Sequence, residues 1–341
     1  MSSTRMNRRI VLAARPKGEP QDTDFRLEEA AIPRPADDQV LLRILYLSLD
    51  PYMRGRMDEG PSYAPPVSIG EVMEGGTVAE VIESRSPKWK PGDIVLSYAG
   101  WQEYAVADPE GLRKLNPSTA PISTALGVLG MPGLTAYTGL LNIGQPKPGE
   151  TVVVSAASGA VGSVVGQIAK INGTQVVGIA GSRGKCKYLV DELDFDAAIN
   201  RSEPSFSEDL KAACPRGVDI YFENVGGSVL KSIVPLLNNF GRVPVCGLIA
   251  QYNLTGPGEG PDFTPMLMRA ILTKRLTFRV FIVTDFASQQ RDFFRDMSEW
   301  LRDGKLKYRE DVVNGLENAI SAFKGLLRGA NFGKLIVKIA E

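Results

Sequence analysis

Apolar and polar residues alternate with two different periods along this chain, and the change from one to the other falls near Pro132. Beyond Pro132, short β-branched runs alternate with stretches in which apolar residues recur at three- and four-residue steps. This pattern predicts strands at 151–155, 175–180, 197–199, 219–223, 242–247 and 276–283, and helices at 160–172, 185–193, 205–213, 286–303 and 315–327, with another beyond Gly227. Strands and helices in alternation indicate an α/β fold with a doubly wound parallel sheet of the Rossmann type.

The residues before Pro132 follow a different pattern, with short segments of period two that are separated by glycine and proline. We predict β segments at 9–13, 25–30, 39–47, 70–72, 75–81, 90–95 and 101–106, which together are typical of a β barrel. The last segment, 334–339, alternates in the same manner, so we expect it to rejoin this barrel. The predicted domains are therefore 1–128 with 305–341, and 129–304.

The stretch TVVVSAASGAVGSVVGQIAK, residues 151–170, has the order strand, glycine turn, helix that a phosphate-binding βα unit requires. Gly159 and Gly162 occupy the second and third glycine positions of a GxGxxG pattern, and Ala157 occupies the first. Gly159 would let the backbone approach a pyrophosphate, and Gly162 would let the helix lie close to the strand. The same pattern taken alone also fits a tight turn that binds nothing.

The end of the second predicted strand indicates which dinucleotide the loop would hold. An NAD-binding unit usually has an acidic residue there, which binds the ribose hydroxyls. This chain has Gly181, Ser182, Arg183, Gly184 and Lys185 instead. A hydroxyl and two cations favour a ribose 2′-phosphate, so we predict NADPH rather than NADH. The alternative is that these cations only form the solvated start of a helix.

Composition excludes several classes of protein. The 341 residues contain 39 basic and 39 acidic side chains, a balance that gives no electrostatic reason to bind nucleic acid or an anionic membrane. Residues 115–146 carry no formal charge, but Pro121, Pro132 and five glycines interrupt them, so we interpret them as buried loop and helix and not as a membrane span. We expect a cytoplasmic enzyme.

Two residue counts restrict the chemistry. The chain has no histidine, which excludes Ser-His and Cys-His nucleophiles and histidine-ligated metals. Its three cysteines, Cys186, Cys214 and Cys246, lack the spacing of a metal site and indicate a reducing compartment. Acid–base work must therefore fall to Tyr, Lys, Asp, Glu or a cofactor.

Several longer motifs, LSLDPYMRGRM (47–57), GMPGLTAYTGLL (130–141), AASGAVGSVVGQIAK (156–170), ENVGG (223–227) and CGLIAQYN (246–253), resemble one family. The chain is similar to the zinc-free medium-chain dehydrogenases/reductases, and within them to the alkenal/prostaglandin reductases and the bacterial NADPH-dependent curcumin reductases. The resemblance implies a GroES-like barrel beside a Rossmann domain. It also implies a homodimer that uses NADPH to reduce the carbon–carbon double bond of α,β-unsaturated ketones and aldehydes.

The resemblance also implies roles for individual residues. Tyr252 matches the active-site tyrosine, and Tyr52 matches a second tyrosine that faces the substrate. The residues expected at the cofactor are Gly159, Ala160, Val161, Gly162, Ser182, Lys185, Arg201, Asn224, Cys246, Gly247, Tyr252, Phe281, Ile282, Val283 and Asn331, with no metal ligand among them. One position departs from the family: mammalian members carry Asn-Tyr where this chain has Asn200-Arg201, and Arg201 could contact a phosphate instead.

These residues suggest a mechanism that needs no metal. Hydride enters the β carbon, charge develops on the carbonyl oxygen as an enolate, and hydrogen-bond donors aimed at that oxygen stabilise it. Tyr252 is the first choice for the donor, although a tyrosine hydroxyl in such a loop could equally satisfy a nearby carbonyl. Arg54 and Arg56 could meet an acidic substrate or form salt bridges within their own loop.

Three functions remain open from the sequence. The first is the enone and enal reductase just described, the second is a quinone reductase of the zeta-crystallin type, and the third is a non-catalytic NADPH-binding protein. Two smaller questions also stay open. Cys246 fits a packing role better than a reactive thiol, and the apolar run FRVFIV (278–283) could be an interior strand or an edge strand that pairs across a dimer.

Overall fold

The computed structural model describes residues 6–256 and 261–340. The chain forms two compact units: one contains the residues up to Gly127 together with those from Glu310 onward, and the other is Val128–Arg309. The segment just before Glu310 has its contacts in the second unit, because Leu306 belongs to that unit's core and Lys307 exchanges backbone hydrogen bonds with the side chain of Gln167. Each unit is described separately below.

The strands are β1 (Met6–Leu12), β2 (Phe25–Ala31), β3 (Val40–Ser48), β4 (Thr77–Ser84), β5 (Ile94–Ser97), β6 (Tyr104–Ala107), β7 (Arg113–Lys114), β8 (Thr151–Val154), β9 (Gln175–Ala180), β10 (Ala197–Asn200), β11 (Val218–Phe222), β12 (Leu237–Val245), β13 (Thr277–Val280), β14 (Glu310–Asn314) and β15 (Lys334–Lys338). The α-helices are α1 (Met131–Thr138), α2 (Gly162–Ile171), α3 (Arg183–Asp191), α4 (Phe206–Ala213), α5 (Gly227–Ile233), α6 (Thr264–Lys274), α7 (Gln290–Arg302) and α8 (Ala319–Leu327).

The second unit is built on a six-stranded parallel sheet with the order β10-β9-β8-β11-β12-β13. The chain moves outward from β8 to β10, then returns to the other side of β8 and moves outward again to β13. This order confirms the doubly wound prediction, and it places the topological switch point between β8 and β11. All four residues of β8 are buried, as expected for a central strand covered on both faces.

The first unit contains mainly antiparallel strands. Its larger sheet has the order β14-β15-β3-β4-β5-β7, with β6 also paired to β3, and β1 pairs with β2 in a separate two-stranded sheet. The final strand β15 lies antiparallel to β3, so the prediction that the C-terminal segment rejoins this domain is confirmed. Trp101 stacks on Phe25 and meets Phe323 edge to face, which joins the β1–β2 sheet to α8 through one aromatic core.

Several elements differ from their prediction at the boundaries. The strand expected at 276–283 ends at Val280, because Asp285 accepts the backbone N–H of Ile282 at 3.0 Å and starts a 3₁₀ turn over Val283–Gln289. The following helix therefore begins at Gln290 and not at 286. β13 is the last strand of the sheet, so the interior-strand alternative for the run FRVFIV is wrong.

The uncharged residues 115–146 form a 3₁₀ turn (Ile122–Leu126), helix α1 and a π-helical turn (Gly139–Gly144), most of whose side chains are buried. This confirms the interpretation as buried loop and helix for residues 122–144, whereas residues 116–119 lie exposed at the surface. In the described residues, we find no helix with the length and apolar character needed to cross a membrane.

Candidate functional site

The predicted cofactor residues of the second unit converge on one edge of its sheet. The glycine loop follows β8, Ser182 and Lys185 follow β9, and Arg201 follows β10. On the other side of the switch point, Asn224 follows β11, Cys246 to Tyr252 follow β12, and Phe281 to Val283 follow β13. Because all six strands are parallel, these segments lie at the carboxyl edge, where open α/β sheets bind their ligands.

The glycine loop has the close backbone contacts that its sequence predicts. A β-carbon added to Gly162 would lie 2.5 Å from the carbonyl oxygen of Ala156, so only glycine fits there without moving the backbone. At Gly159 the same oxygen would be 3.2 Å away, and Ser163 donates its hydroxyl to the Gly159 carbonyl at 2.8 Å. Helix α2 begins at Gly162 with no side-chain cap. The N–H groups of Ser163 and Val164 donate to the carbonyls of Gly159 and Val161, at 3.1 Å each, so the loop and the start of the helix form one tight turn.

Hydrogen bonds across the switch point hold the ends of β8 and β11 together. The Ser155 hydroxyl accepts the backbone N–H of Asn224 at 2.9 Å, and the Asn224 side-chain amide donates to the Ser155 carbonyl at 2.8 Å. The Asn224 amide thus fixes the separation of two loops that would flank a bound cofactor.

Glu223 is a residue that the sequence analysis did not single out. Its buried carboxylate oxygen Oε1 accepts hydrogen bonds from Tyr221 Oη (2.9 Å), Ser155 Oγ (3.2 Å) and the backbone N–H groups of Val225 (2.7 Å) and Gly226 (2.9 Å). The second oxygen, Oε2, is buried and hydrogen-bonds to none of the described residues. Burial raises the pKa of this carboxyl, and the four donors oppose the rise. An acidic residue directly after the apolar run of a predicted strand was the available signal.

The end of β9 shows how the three nearby cations are arranged. Ser182 caps α3 by accepting the backbone N–H of Lys185 at 3.4 Å, and Arg183, 86% exposed, pairs with Glu203 at 2.9 Å. The guanidinium of Arg201 lies over Gly181, since a β-carbon added to that glycine would be 3.7 Å from Arg201 Nε. A positive group therefore occupies the position where NAD-binding units have a carboxylate.

The segment after β12 carries Tyr252, and backbone hydrogen bonds to Glu223 hold its first residues in place. Cys246 and Gly247 donate their backbone N–H groups to the Glu223 carbonyl, at 2.9 and 3.2 Å. A β-carbon on Gly247 would be 3.1 Å from the Tyr252 hydroxyl, so glycine leaves room for that group. The Tyr252 oxygen accepts the backbone N–H of Leu248 at 3.4 Å.

Two other predicted residues of this edge pack into the protein. Burial raises the pKa of the Cys246 thiol to about 12, with a smaller contribution from the Glu223 charge. The group therefore stays a thiol, as its packing interpretation requires. Phe281 is buried and meets Phe222 and Phe286 edge to face. Ile282 and Val283 follow it half-buried.

In the first unit, Tyr52 is the second residue of a 3₁₀ turn, Pro51–Met57, and Asp50 is the residue that precedes this turn. Burial raises the pKa of Tyr52, and the carboxylates of Asp50 and Glu74 raise it further. Arg56 stacks between two tyrosine rings, 5.8 Å from Tyr52 and 4.4 Å from Tyr63. Tyr52 is therefore a neutral O–H group throughout the accessible pH range.

The two arginines of this turn are both ion-paired. Arg56 pairs with Glu74 at 2.7 Å, and Arg54 pairs with Asp58 at 2.7 Å. Both guanidinium groups are buried, so the salt-bridge interpretation of these arginines is confirmed.

Asn331 precedes β15 in the same unit. Its side-chain amide donates to the Gly333 carbonyl at 2.8 Å, and the N–H of the next residue, Phe332, donates to Asp311 at 2.9 Å. Two residues further, Lys334 forms a buried ion pair with Asp50 that the sequence analysis missed. No sequence signal joins two residues so far apart in the chain.

The described ranges 6–256 and 261–340 contain no group of three His, Cys, Asp or Glu side chains placed to hold a metal ion.

A parallel sheet with a glycine loop at its switch point, together with an antiparallel unit, defines the medium-chain dehydrogenase/reductase class of oxidoreductases. Residues 8–115 match the family described as the N-terminal domain of oxidoreductase, and residues 160–303 match the zinc-binding dehydrogenase family. The chain is 52% identical to the NADPH-dependent curcumin reductase of Escherichia coli K12, over 98% of this chain and 97% of that protein. It is 43% identical to prostaglandin reductase 1 of Rattus norvegicus, over 94% and 96%. The chain belongs to the zinc-free branch of this family that contains the curcumin and prostaglandin reductases.

Solved structures agree with this assignment. CurA from Vibrio vulnificus, crystallised with NADPH, is 52% identical and superposes with a TM-score of 0.95, covering 98% of this chain and 99% of that one. A quinone oxidoreductase of Pseudomonas syringae superposes with a TM-score of 0.72 at 22% identity, over 98% of this chain and 100% of that one. The second likeness concerns the fold alone.

Proposed function

We propose that this protein uses NADPH to reduce the carbon–carbon double bond of α,β-unsaturated ketones and aldehydes. The observation that carries the proposal is the convergence of six cofactor-type segments on the carboxyl edge of one sheet, with a glycine loop at the switch point. The similarity to a curcumin reductase and to prostaglandin reductases supports both the cofactor and the substrate class. We propose that the domains follow the two compact units, with the C-terminal boundary at Glu310 and not at the predicted residue 305.

The residues at this edge fit a dinucleotide with a 2′-phosphate. A β-carbon at Gly162 would clash with the Ala156 carbonyl, so the glycine keeps the loop close to the start of α2 at the carboxyl edge of the sheet. Glu203 neutralises Arg183, so Lys185 and Arg201 are the cations we assign to the phosphate, with Ser182 as a hydroxyl donor. Asn224 is proposed to border the cofactor, and Asn331 keeps the cofactor contact that the family resemblance implies.

The cofactor preference is tested with Lys185→Ala and Arg201→Ala, with Lys231→Ala, a lysine on α5, as the control. We expect each site variant to weaken NADPH binding at least about tenfold while NADH binding changes little, because only NADPH carries the 2′-phosphate. Fluorescence titration measures both constants. Unchanged selectivity in both variants would remove these residues from the phosphate site.

Bound NADPH supplies a hydride to the β carbon of the substrate. The π electrons would then move to the carbonyl oxygen, where a hydrogen-bond donor stabilises the resulting enolate. A proton from the Tyr252 hydroxyl or from water, added at the α carbon, would complete the reduction. Tyr252 is the proposed donor. Its oxygen already accepts the Leu248 N–H, and accepting one hydrogen bond polarises a hydroxyl toward donating another. Tyr52, neutral because of its burial, is the proposed second tyrosine at the substrate.

The first experiment follows NADPH consumption with a medium-chain enone and identifies the product by mass spectrometry. We expect the saturated ketone, and we expect Tyr252→Phe to lower kcat about a hundredfold with little change in NADPH affinity. Tyr188→Phe, at a half-buried tyrosine of α3, is the control. An allylic alcohol would contradict the mechanism, activity on quinones alone would favour the quinone reductase, and tight NADPH binding without turnover would favour a non-catalytic protein.

We also propose that the protein is a homodimer that pairs through the β13 edge. Among the described strands, β13 has a neighbour on one side only, and Val280 at its end is 70% exposed. Helix α6 exposes Met268 and Leu272, the latter by 78%, and none of its residues is buried. Sedimentation of Leu272→Asp/Val280→Lys should give a monomer where the parent gives a dimer; a parent that sediments as a monomer would contradict this.

A cytoplasmic location is proposed from the three cysteines, which are free thiols in the structure. Cell fractionation with an antibody against the chain tests the location. Recovery of the protein from an oxidising compartment would contradict it.

A further inference from the structure

A buried ion pair joins two distant segments of the first unit. Lys334 Nζ lies 2.7 Å from Asp50 Oδ1 and 2.8 Å from the Leu49 carbonyl oxygen, and the two side chains are 4% and 8% exposed. The partners are 284 residues apart in sequence. Burial lowers the pKa of Lys334, and the Asp50 charge opposes this.

The surroundings hold both members of the pair in one position. The Ser48 hydroxyl donates to the other oxygen of Asp50, so both carboxylate oxygens are bonded. A β-carbon added to Gly127 would lie 3.3 Å from Lys334 Cγ, so the aliphatic part of the lysine packs against that backbone. Glu310, bonded to Ser123 at 2.8 Å, adds a second negative charge near the ammonium group.

Each partner begins or ends a segment to which the proposed function assigns a role. Asp50 immediately precedes the turn Pro51–Met57, and its carbonyl accepts the N–H of Met53 at 3.2 Å, so its position sets that of Tyr52. Lys334 is the first residue of β15 and directly follows Asn331, Phe332 and Gly333. The pair therefore links the segment that carries Tyr52 to the segment that carries Asn331, beside the bond from the Leu49 N–H to the Leu335 carbonyl at 3.3 Å.

We infer that Lys334 and Asp50 are positioning residues, and that their buried pair sets Tyr52 for the substrate and Asn331 for the cofactor. This inference rests on the proposed function. A buried pair is weak evidence for stability in itself, because neutral side chains of similar size often replace one without loss. Because this pair joins the segments that carry Tyr52 and Asn331, positioning explains its presence better than stability does.

The test separates stability from positioning with the double variant Asp50→Asn/Lys334→Met. This variant removes both charges of the pair, so neither partner is left as a buried charge without its countercharge. The control is Asp93→Asn/Lys114→Met, which removes another 2.7 Å pair of the same unit that borders neither segment. Thermal unfolding, NADPH affinity by fluorescence titration, and KM and kcat for a medium-chain enone are measured for the parent and both double variants.

We expect the Asp50/Lys334 double variant to unfold near the parent's temperature while KM for the enone and Kd for NADPH rise about tenfold, with a smaller fall in kcat. The control should keep all three constants. Parent values of KM and Kd in a stable Asp50/Lys334 variant would overturn the inference. Failure of the proposed function is distinguishable, because there the parent itself would neither bind NADPH nor reduce the enone.

Ser48→Ala provides a second test if the double variant does not fold. It keeps the ion pair and removes only the hydroxyl bonded to Asp50. A rise of about threefold in KM with an unchanged unfolding temperature supports positioning through Asp50, since small displacements of a binding group weaken binding measurably. Unchanged constants would overturn it.

Discussion

Each unit of this protein buries a carboxylate beside residues assigned to the site, but the two carboxylates are stabilised in different ways. In the first unit, Asp50 is paired with the charge of Lys334 from the far end of the chain. In the second unit, the hydrogen bonds that Glu223 Oε1 accepts from the described residues come from two hydroxyls and two backbone N–H groups, with no cation among the donors. Three of these four donors lie within three residues of Glu223.

The difference follows from what the backbone offers at each place. Glu223 lies just before α5 (Gly227–Ile233), where N–H groups have no partner within the helix and face the carboxylate. Asp50 precedes a 3₁₀ turn with no such bond to its side chain, so a cation and a hydroxyl supply the stabilisation. Local dipoles suffice where a helix begins, and elsewhere the fold must bring in a distant opposite charge.

The largest expected effect in this comparison comes from breaking the ion pair on one side. Lys334→Met leaves Asp50 buried without a countercharge, and we expect it to lower the free energy of unfolding by about 3–5 kcal/mol. Denaturant unfolding at neutral pH measures this. Lys114→Met, which removes a half-exposed partner of Asp93, should cost clearly less; equal losses would mean that burial does not distinguish the two pairs.

The next effect comes from removing one local donor. Tyr221 is fully buried and its hydroxyl bonds to Glu223 Oε1 at 2.9 Å. Tyr221→Phe should lower the free energy of unfolding by about 1–3 kcal/mol, the usual range for a buried hydrogen bond to a charged group. The variant should also raise the pKa of Glu223 further, since that bond lowers it. A neutral effect on stability would show that the remaining three donors compensate.

A smaller effect, visible mainly in pH dependence, is expected from Glu223→Gln. The pKa of Glu223 is raised in the folded protein above its ordinary value of 4.5. Its protonated form is therefore favoured by folding, and the associated stability is full below pH 4.5 and is lost as pH rises through the folded pKa. Glutamine does not titrate, so this decline should disappear from unfolding curves measured from pH 4.5 upward. Glu192→Gln, at an exposed residue of the same unit, should leave the decline intact.

The smallest effect is expected at the exposed pair of Arg183 and Glu203. Water screens both groups, so Glu203→Gln should leave the free energy of unfolding nearly unchanged. It should also release Arg183 toward the proposed 2′-phosphate site, which would tighten NADPH binding slightly. Calorimetric titration of NADPH checks this, and weaker binding would show that Glu203 helps to position the site.

Much of the second unit could be predicted because its signals are local. The strand predicted at 175–180 matches β9, and the glycine loop, its two close contacts and the doubly wound order all follow from periodicity and turn residues within a few positions. The strand at 276–283 was predicted too long, since its apolar run continues past the point where Asp285 bonds to the Ile282 backbone. A hydrophobic pattern reports burial, and Phe281 is buried without being in a strand.

The candidate site could be predicted only where single residues carry the signal. Tyr252, Lys185 and Asn224 were predicted from motifs, and their roles stay predictions. Glu223 and Lys334 were missed because an isolated acidic or basic residue in a sequence usually lies at the surface.

The sequence by itself determined that one chain contains a glycine loop, an antiparallel domain, and a second parallel strand followed by a hydroxyl and cations in place of an acidic residue. Each of these features depends on residues that are near neighbours in the chain. Only the tertiary structure decided that Arg201 lies over Gly181, that Glu223 is bonded by four donors, and that Lys334 meets Asp50. These contacts are made between elements that folding brings together, and the last joins residues 284 positions apart.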